Sequence, residues 1–187
     1  MQENNEFYRY YEPIVLPSLI MVGVVVTFVL IILTCLMNKK LLMIRPKTLY
    51  FYVMSFVGLV FGANGVAGLL TYMFAFVLTN RDIMQFFGKT LSECVTVVIV
   101  SLPVYLFHWN GILAGMKDDQ EKLIWPYYKY SILGFSTVFF VGILVYLFLG
   151  HMGIDDSRDM LSIALGYIAV GAGVWAYHWF LERKFKI

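Results

Sequence analysis

The feature that most limits this chain is the spacing of its charges. Acidic and basic side chains gather in clusters, and between the clusters lie five long apolar runs. They extend from about Ile14 to Met37, Leu49 to Leu78, Leu91 to Trp109, Tyr127 to Gly150 and Met160 to Leu181. A run of about 18 or more apolar residues is long enough for a transmembrane helix, because roughly 20 residues cover the hydrocarbon core. Composition agrees: 60% of the 187 residues are hydrophobic and 14% are charged, where a soluble domain carries roughly 25% charged residues. The expected fold is an all-α integral membrane protein with five transmembrane helices. That class excludes a soluble enzyme, a secreted disulfide scaffold and a nucleic-acid binder. What lies outside the runs is too short to bury a core of its own. A net charge of +2 is too small to argue for an anionic partner.

Lysine and arginine set the orientation, since cytoplasmic loops carry their excess. Lys39, Lys40, Arg45, Lys47, Lys117, Lys122, Lys129, Arg183, Lys184 and Lys186 fall on one side, against Arg9, Arg81, Lys89 and Arg158 on the other. The bias places the N-terminus outside and the C-terminus in the cytoplasm of a multi-pass protein of the cell membrane. The leader MQENNEFYRYYEP holds three glutamates and one arginine, unlike the positive start of a cleavable signal peptide. The first run is therefore expected to stay as a helix. Cys35 and Cys94 fall near opposite faces of the bilayer under this topology. They are then too far apart to form a disulfide, whose Cα atoms lie about 4.4–6.8 Å apart.

Self-similarity adds a second layer of organisation. LSECVTVVIVSLPVYLFHW (91–109) aligns without a gap with LSIALGYIAVGAGVWAYHW (161–179). Leu91 and Leu161, Ser92 and Ser162, Val100 and Val170, Val104 and Val174, His108 and His178, and Trp109 and Trp179 are identical pairs. Tyr50 and Tyr52, heading the preceding run, match Tyr128 and Tyr130. The chain thus divides into residues 1–48 (extracytoplasmic leader, first helix and basic loop), a two-helix repeat at 49–109, a second at 127–181 and a basic tail at 182–187. A unit of two spans returns the chain to its starting side, so the repeats run parallel rather than inverted. Both His-Trp pairs then lie at the cytoplasmic end of their helices.

These paired endings, each preceded by a Tyr-x-Tyr hairpin head, resemble a family of small prokaryotic membrane proteins known as a domain of unknown function. The resemblance covers about residues 49–181 and implies tandem two-helix units ending in His-Trp. It implies no activity.

Several residues are candidates for more than packing. His108 and His178, at equal depth on different helices, are the pair that would ligate a b-type haem. Interfacial anchoring or packing explains the same residues without a ligand, and a cofactor is not the expectation. Glu93 is the carboxylate within a predicted span, and an intramembrane ionisable group suggests function by default. Its repeat counterpart is Ile163, and it lies where the helix dipole favours negative charge. Together with Asn64 and His151 it would serve a pore or proton path. Gly58, Gly62, Gly65 and Gly68, and likewise Ala169 with Gly173, have the small-residue spacing that lets helix backbones approach. Pro103 should kink its helix.

No phosphate-binding glycine loop, HExxH or nucleophile elbow is present in the sequence, so no enzyme and no metal site are expected. The leading expectation is a non-catalytic subunit or scaffold of a larger membrane assembly, partnered by the lipid bilayer and by other membrane subunits or further copies of itself. An oligomeric pore or small transporter is the alternative, and haem-based electron transfer the next.

Overall fold

The computed structural model describes residues 45–79, 83–115, 119–151 and 157–185. The first apolar run, Ile14 to Met37, lies outside the described residues. The others form four helices and no strand: α1 (Pro46–Thr79), α2 (Ile83–Gly115), α3 (Asp119–His151) and α4 (Ser157–Phe185). They belong to one compact unit, Ile44–Ile187.

Local chemistry marks the ends. Pro46 opens α1, where its fixed φ suits the first helical position and its missing N–H costs nothing. Asp119 and Ser157 open α3 and α4, residue types favoured at helix starts. Gly115 closes α2, as glycine commonly does. With 34, 33, 33 and 29 residues, the helices measure about 44–51 Å, well beyond the roughly 30 Å of hydrocarbon. Each therefore overruns its apolar run; α2 begins eight residues before Leu91. Three are long and apolar enough to cross a membrane, over Pro46–Leu78, Leu91–Gly115 and Leu161–Leu181. The run from Tyr127 to Gly150 falls within α3. α2 continues through Pro103 and α3 through Pro126.

α1 is the central helix, packing mainly on α2 and α4 and lightly on α3, while α3 packs on α4. Its α2 side is a glycine seam. A Cβ on Gly58 would meet the Tyr105 backbone, one on Gly62 would meet Ser101, one on Gly65 would meet Val98 and Val97, and one on Gly68 would meet Cys94. As the α1 number rises the α2 number falls, so the two helices run antiparallel at a separation that only glycine permits. The α4 side of α1 is built from Asn64, Ala67 and Thr71. A Cβ on Gly166 of α4 would come within 2.7 Å of the Ala67 carbonyl oxygen and 2.8 Å of the Thr71 backbone nitrogen. Hydroxyls along the helices largely serve their own backbone. Thr71, Thr96, Ser101, Ser131 and Thr137 each donate to the carbonyl four residues earlier, as apolar surroundings require.

Candidate functional site

At the end of the bundle where α1 and α3 begin and α2 and α4 finish, aromatic rings converge on Trp109. Tyr105 stacks on it from the preceding turn at 5.9 Å, and Tyr128 of α3 stacks on it at 5.9 Å. Trp125 of α3 lies at 6.0 Å, and Tyr177 and His178 of α4 at 6.2 and 5.4 Å. The Trp109 indole Nε1–H donates to the Tyr177 hydroxyl at 2.8 Å. Tyr128 shares a 2.8 Å hydrogen bond with Ser55 of α1 and sits 5.0 Å from the Tyr52 ring. Trp109, Trp125, Tyr128 and His178 are all buried. Aromatic pairs at such distances add about 0.5–1.5 kcal/mol each beyond the area they bury.

The two histidines have the same local bonding. The Nδ1 of His108 is 2.7 Å from the Val104 carbonyl oxygen, and the Nδ1 of His178 is 2.8 Å from that of Val174. A carbonyl only accepts, so Nδ1 carries the proton and donates. In the neutral ring this leaves a lone pair on Nε2, which in both cases is buried without a hydrogen-bond partner, as is the Nε1 of Trp125. Their surroundings differ. His108 packs against Tyr50 and Phe51 of α1 and its neighbour Phe107. His178 packs against Trp109, Tyr128 and Tyr177. The structure places them in two separate aromatic clusters. Among the described residues, no group of three or more His, Cys, Asp and Glu side chains gathers as a metal site would.

The remaining candidates are scattered. Asn64 lies mid-bundle, its Oδ1 accepting from the Tyr167 hydroxyl at 2.9 Å. Glu93 is on the exposed side of α2 with Ser92 and Thr96. His151 ends α3, and its side chain lies outside the described residues. Gly58, Gly62, Gly65 and Gly68 all face α2. Ala169 and Gly173 do not share that role: both are exposed, and a Cβ on Gly173 would meet nothing within 4 Å. The packing expected of them falls to no described helix. Cys94 is half-buried and not in a disulfide.

Sequence reasoning missed the hub. Trp109 was visible only as half of a His-Trp ending, and Tyr128 only as a hairpin head. The available signal was the density of rings in Trp125, Tyr127, Tyr128 and Tyr130 opposite two His-Trp endings.

A family model described as a domain of unknown function, DUF5671, matches residues 48–152. The chain belongs to the DUF5671 family. The DUF5671 match covers nearly all of α1 and the whole of α2 and α3, and so takes in Trp109, Trp125 and Tyr128 but neither Tyr177 nor His178. No curated protein and no solved structure matches the chain.

Proposed function

We propose that this chain is a five-span protein of the cell membrane, N-terminus outside and C-terminus cytoplasmic, that serves as a non-catalytic subunit or scaffold of a larger assembly. It comprises one lone helix, Ile14 to Met37, followed by two parallel hairpin repeats, α1–α2 and α3–α4. The observation that carries the assembly reading is the position of Ser92 and Glu93. Both lie on the exposed side of α2, inside its apolar stretch Leu91–Gly115. Polar and ionisable groups directed at lipid are costly, whereas a protein neighbour can satisfy them. The repeat is supported by contacts that recur at matching positions. Tyr50 touches His108 as Tyr128 touches His178, at 5.2 and 6.4 Å. Tyr105 stacks on Trp109 as Trp175 stacks on Trp179, both at an interplanar angle of 13°. Native mass spectrometry after gentle extraction from the membrane tests the reading. Added mass from a second polypeptide or from further copies is expected, and a bare monomer would overturn it.

Haem binding has one point in its favour, the identical Nδ1-anchored histidines with unpartnered Nε2 atoms. Orientation of an imidazole through its other nitrogen is how metal-binding histidines are prepared. Their separation into two aromatic clusters argues against a shared iron. An absorption spectrum of the purified chain decides: a Soret band lost in His178→Ala would establish haem, and a colourless protein would end the idea.

A further inference from the structure

The two hairpins share a sequence pattern but not an environment, and the differences fall on opposite faces. On α4, the stripe Ser162, Gly166 and Val170 is turned toward α1, as the closeness of Gly166 to Ala67 and Thr71 requires. Ser162 is 0% exposed and Val170 9%. The matching stripe on α2, seventy residues earlier in the register that pairs His108 with His178, is Ser92, Thr96 and Val100. All three are exposed, Val100 at 62%. The face by which the second hairpin is held thus recurs on the first, exposed among the described residues.

The reverse holds for a second face. On α2, Tyr105 and Trp109 point toward the second hairpin, and Trp109 is 2% exposed. On α4 the equivalent stacked pair, Trp175 and Trp179, is exposed at 43% and 37%. The face by which the first hairpin holds the second therefore recurs on the second, exposed among the described residues. An uncovered receiving face at one side and an uncovered inserting face at the other make a heterologous pair. Such a pair propagates from copy to copy, closing into a ring or running on as a filament.

Resting on the assembly reading above, we propose that the missing neighbour is a second copy of this chain. The α4 face carrying Trp175 and Trp179, with α3 beside it, receives the outer α2 face of the next copy, Ser92, Thr96, Val100 and Phe107. The contact is the one already present between the hairpins, repeated between chains. Trp109 donates to Tyr177 within the chain. Trp179 of one copy accordingly meets the counterpart of Tyr177, which is Phe107 of the next. Phe107 is 67% exposed, and Tyr50, which also touches His108, is 52% exposed. This contact also covers Ser92 and Thr96. Parallel repeats keep both faces at the same membrane depth, so neither copy has to shift vertically.

The test uses the full chain in its native membrane with Cys35 and Cys94 replaced by alanine. Phe107→Cys and Trp179→Cys are placed on differently tagged chains, co-expressed and treated with a short thiol-to-thiol cross-linker. Both positions are exposed, so the substitutions leave the bundle core intact. An adduct carrying both tags is expected, with neither single variant cross-linking to itself. The double variant on one chain should give a ladder of dimers, trimers and higher species. A symmetric Phe107→Cys adduct would overturn the head-to-tail arrangement, and so would recovery of unlinked chains alone. Native mass spectrometry of the wild-type chain separates the two proposals. A complex with a different polypeptide and no further copies sinks self-association while leaving the subunit reading standing, and a bare monomer sinks both. A gain-of-contact variant adds a second readout. Phe107→Tyr restores the hydroxyl that Trp109 finds in Tyr177, and should raise the oligomeric fraction several-fold; a fall would count against the pairing.

Discussion

Gly58 offers the sharpest test of how the bundle is held together. A Cβ there would lie 2.8 Å from the Tyr105 backbone nitrogen and 3.0 Å from its Cα. Comfortable contact between such atoms begins at about 3.5 Å. The obstacle is backbone, so no side-chain rotation relieves it, and α1 and α2 must part by about half an ångström along the seam. Overpacking of this kind costs about 1–3 kcal/mol. Alanine's better helix propensity returns roughly 1 kcal/mol, which leaves Gly58→Ala destabilised by up to about 2 kcal/mol. Gly173→Ala is the control. It adds the same methyl to a helix long and apolar enough to span, where nothing lies within 4 Å, so only the propensity gain of roughly 0.5–1 kcal/mol applies. The two variants should differ by about 1–3 kcal/mol, a factor of roughly 5 to 150 in the unfolding equilibrium. Denaturation by SDS in mixed micelles, followed by tryptophan fluorescence, measures that difference directly. Coincident curves would refute the reasoning, because they would mean the α1–α2 seam has room to spare.

Other substitutions follow from single bonds. Ser55→Ala strands the buried Tyr128 hydroxyl and should cost about 1–3 kcal/mol. The double variant Ser55→Ala with Tyr128→Phe should recover most of that loss in the same titration, and an additive double variant would argue against the bond. Tyr167→Phe removes the donor to Asn64 and should destabilise by about 0.6–2 kcal/mol, the range for interhelical bonds in membranes. Glu93→Gln, on the exposed side of α2, should leave unfolding within about 0.5 kcal/mol of wild type. A larger shift would place that carboxylate in a contact within the bundle.

Charge spacing and small-residue spacing made different parts of this architecture legible. The runs from Leu49, Leu91, Tyr127 and Met160 each fall inside one helix, because uncharged length suits both a helix and a bilayer. The helix ends were not legible in the same way. The charged residues mark where hydrocarbon stops, whereas α2 goes on helically through Gln85 and Lys89. Gly58 with Gly62 and Ala169 with Gly173 have the same spacing and opposite fates, one pair against α2 and the other uncovered. Such spacing records that a helix could come close, not which helix does. Trp109 and Trp179 make the same point with identical His-Trp endings. One is buried against the rings of the second hairpin, and the other is 37% exposed among the described residues. No local pattern encodes that difference.

The polar bonds explain why two similar hairpins join in one fixed register. Ser55 with Tyr128, Asn64 with Tyr167, and Trp109 with Tyr177 each cross from the first hairpin to the second. Within the first hairpin, the glycine seam and the short connection between α1 and α2 already bring the helices together. Between hairpins Gly166 brings α4 close to α1, but lipid supplies no hydrophobic force to favour one sliding position over another. A mid-helix donor and acceptor do favour one position, since a slip of a single turn, about 5.4 Å, leaves both groups unpaired in an apolar setting. The sequence counterparts of these groups at the outer faces are less polar: Val97 stands where α4 has Tyr167, and Phe107 where it has Tyr177. The joint inside the chain is therefore locked, while the same joint between chains would rest on apolar packing and remain reversible.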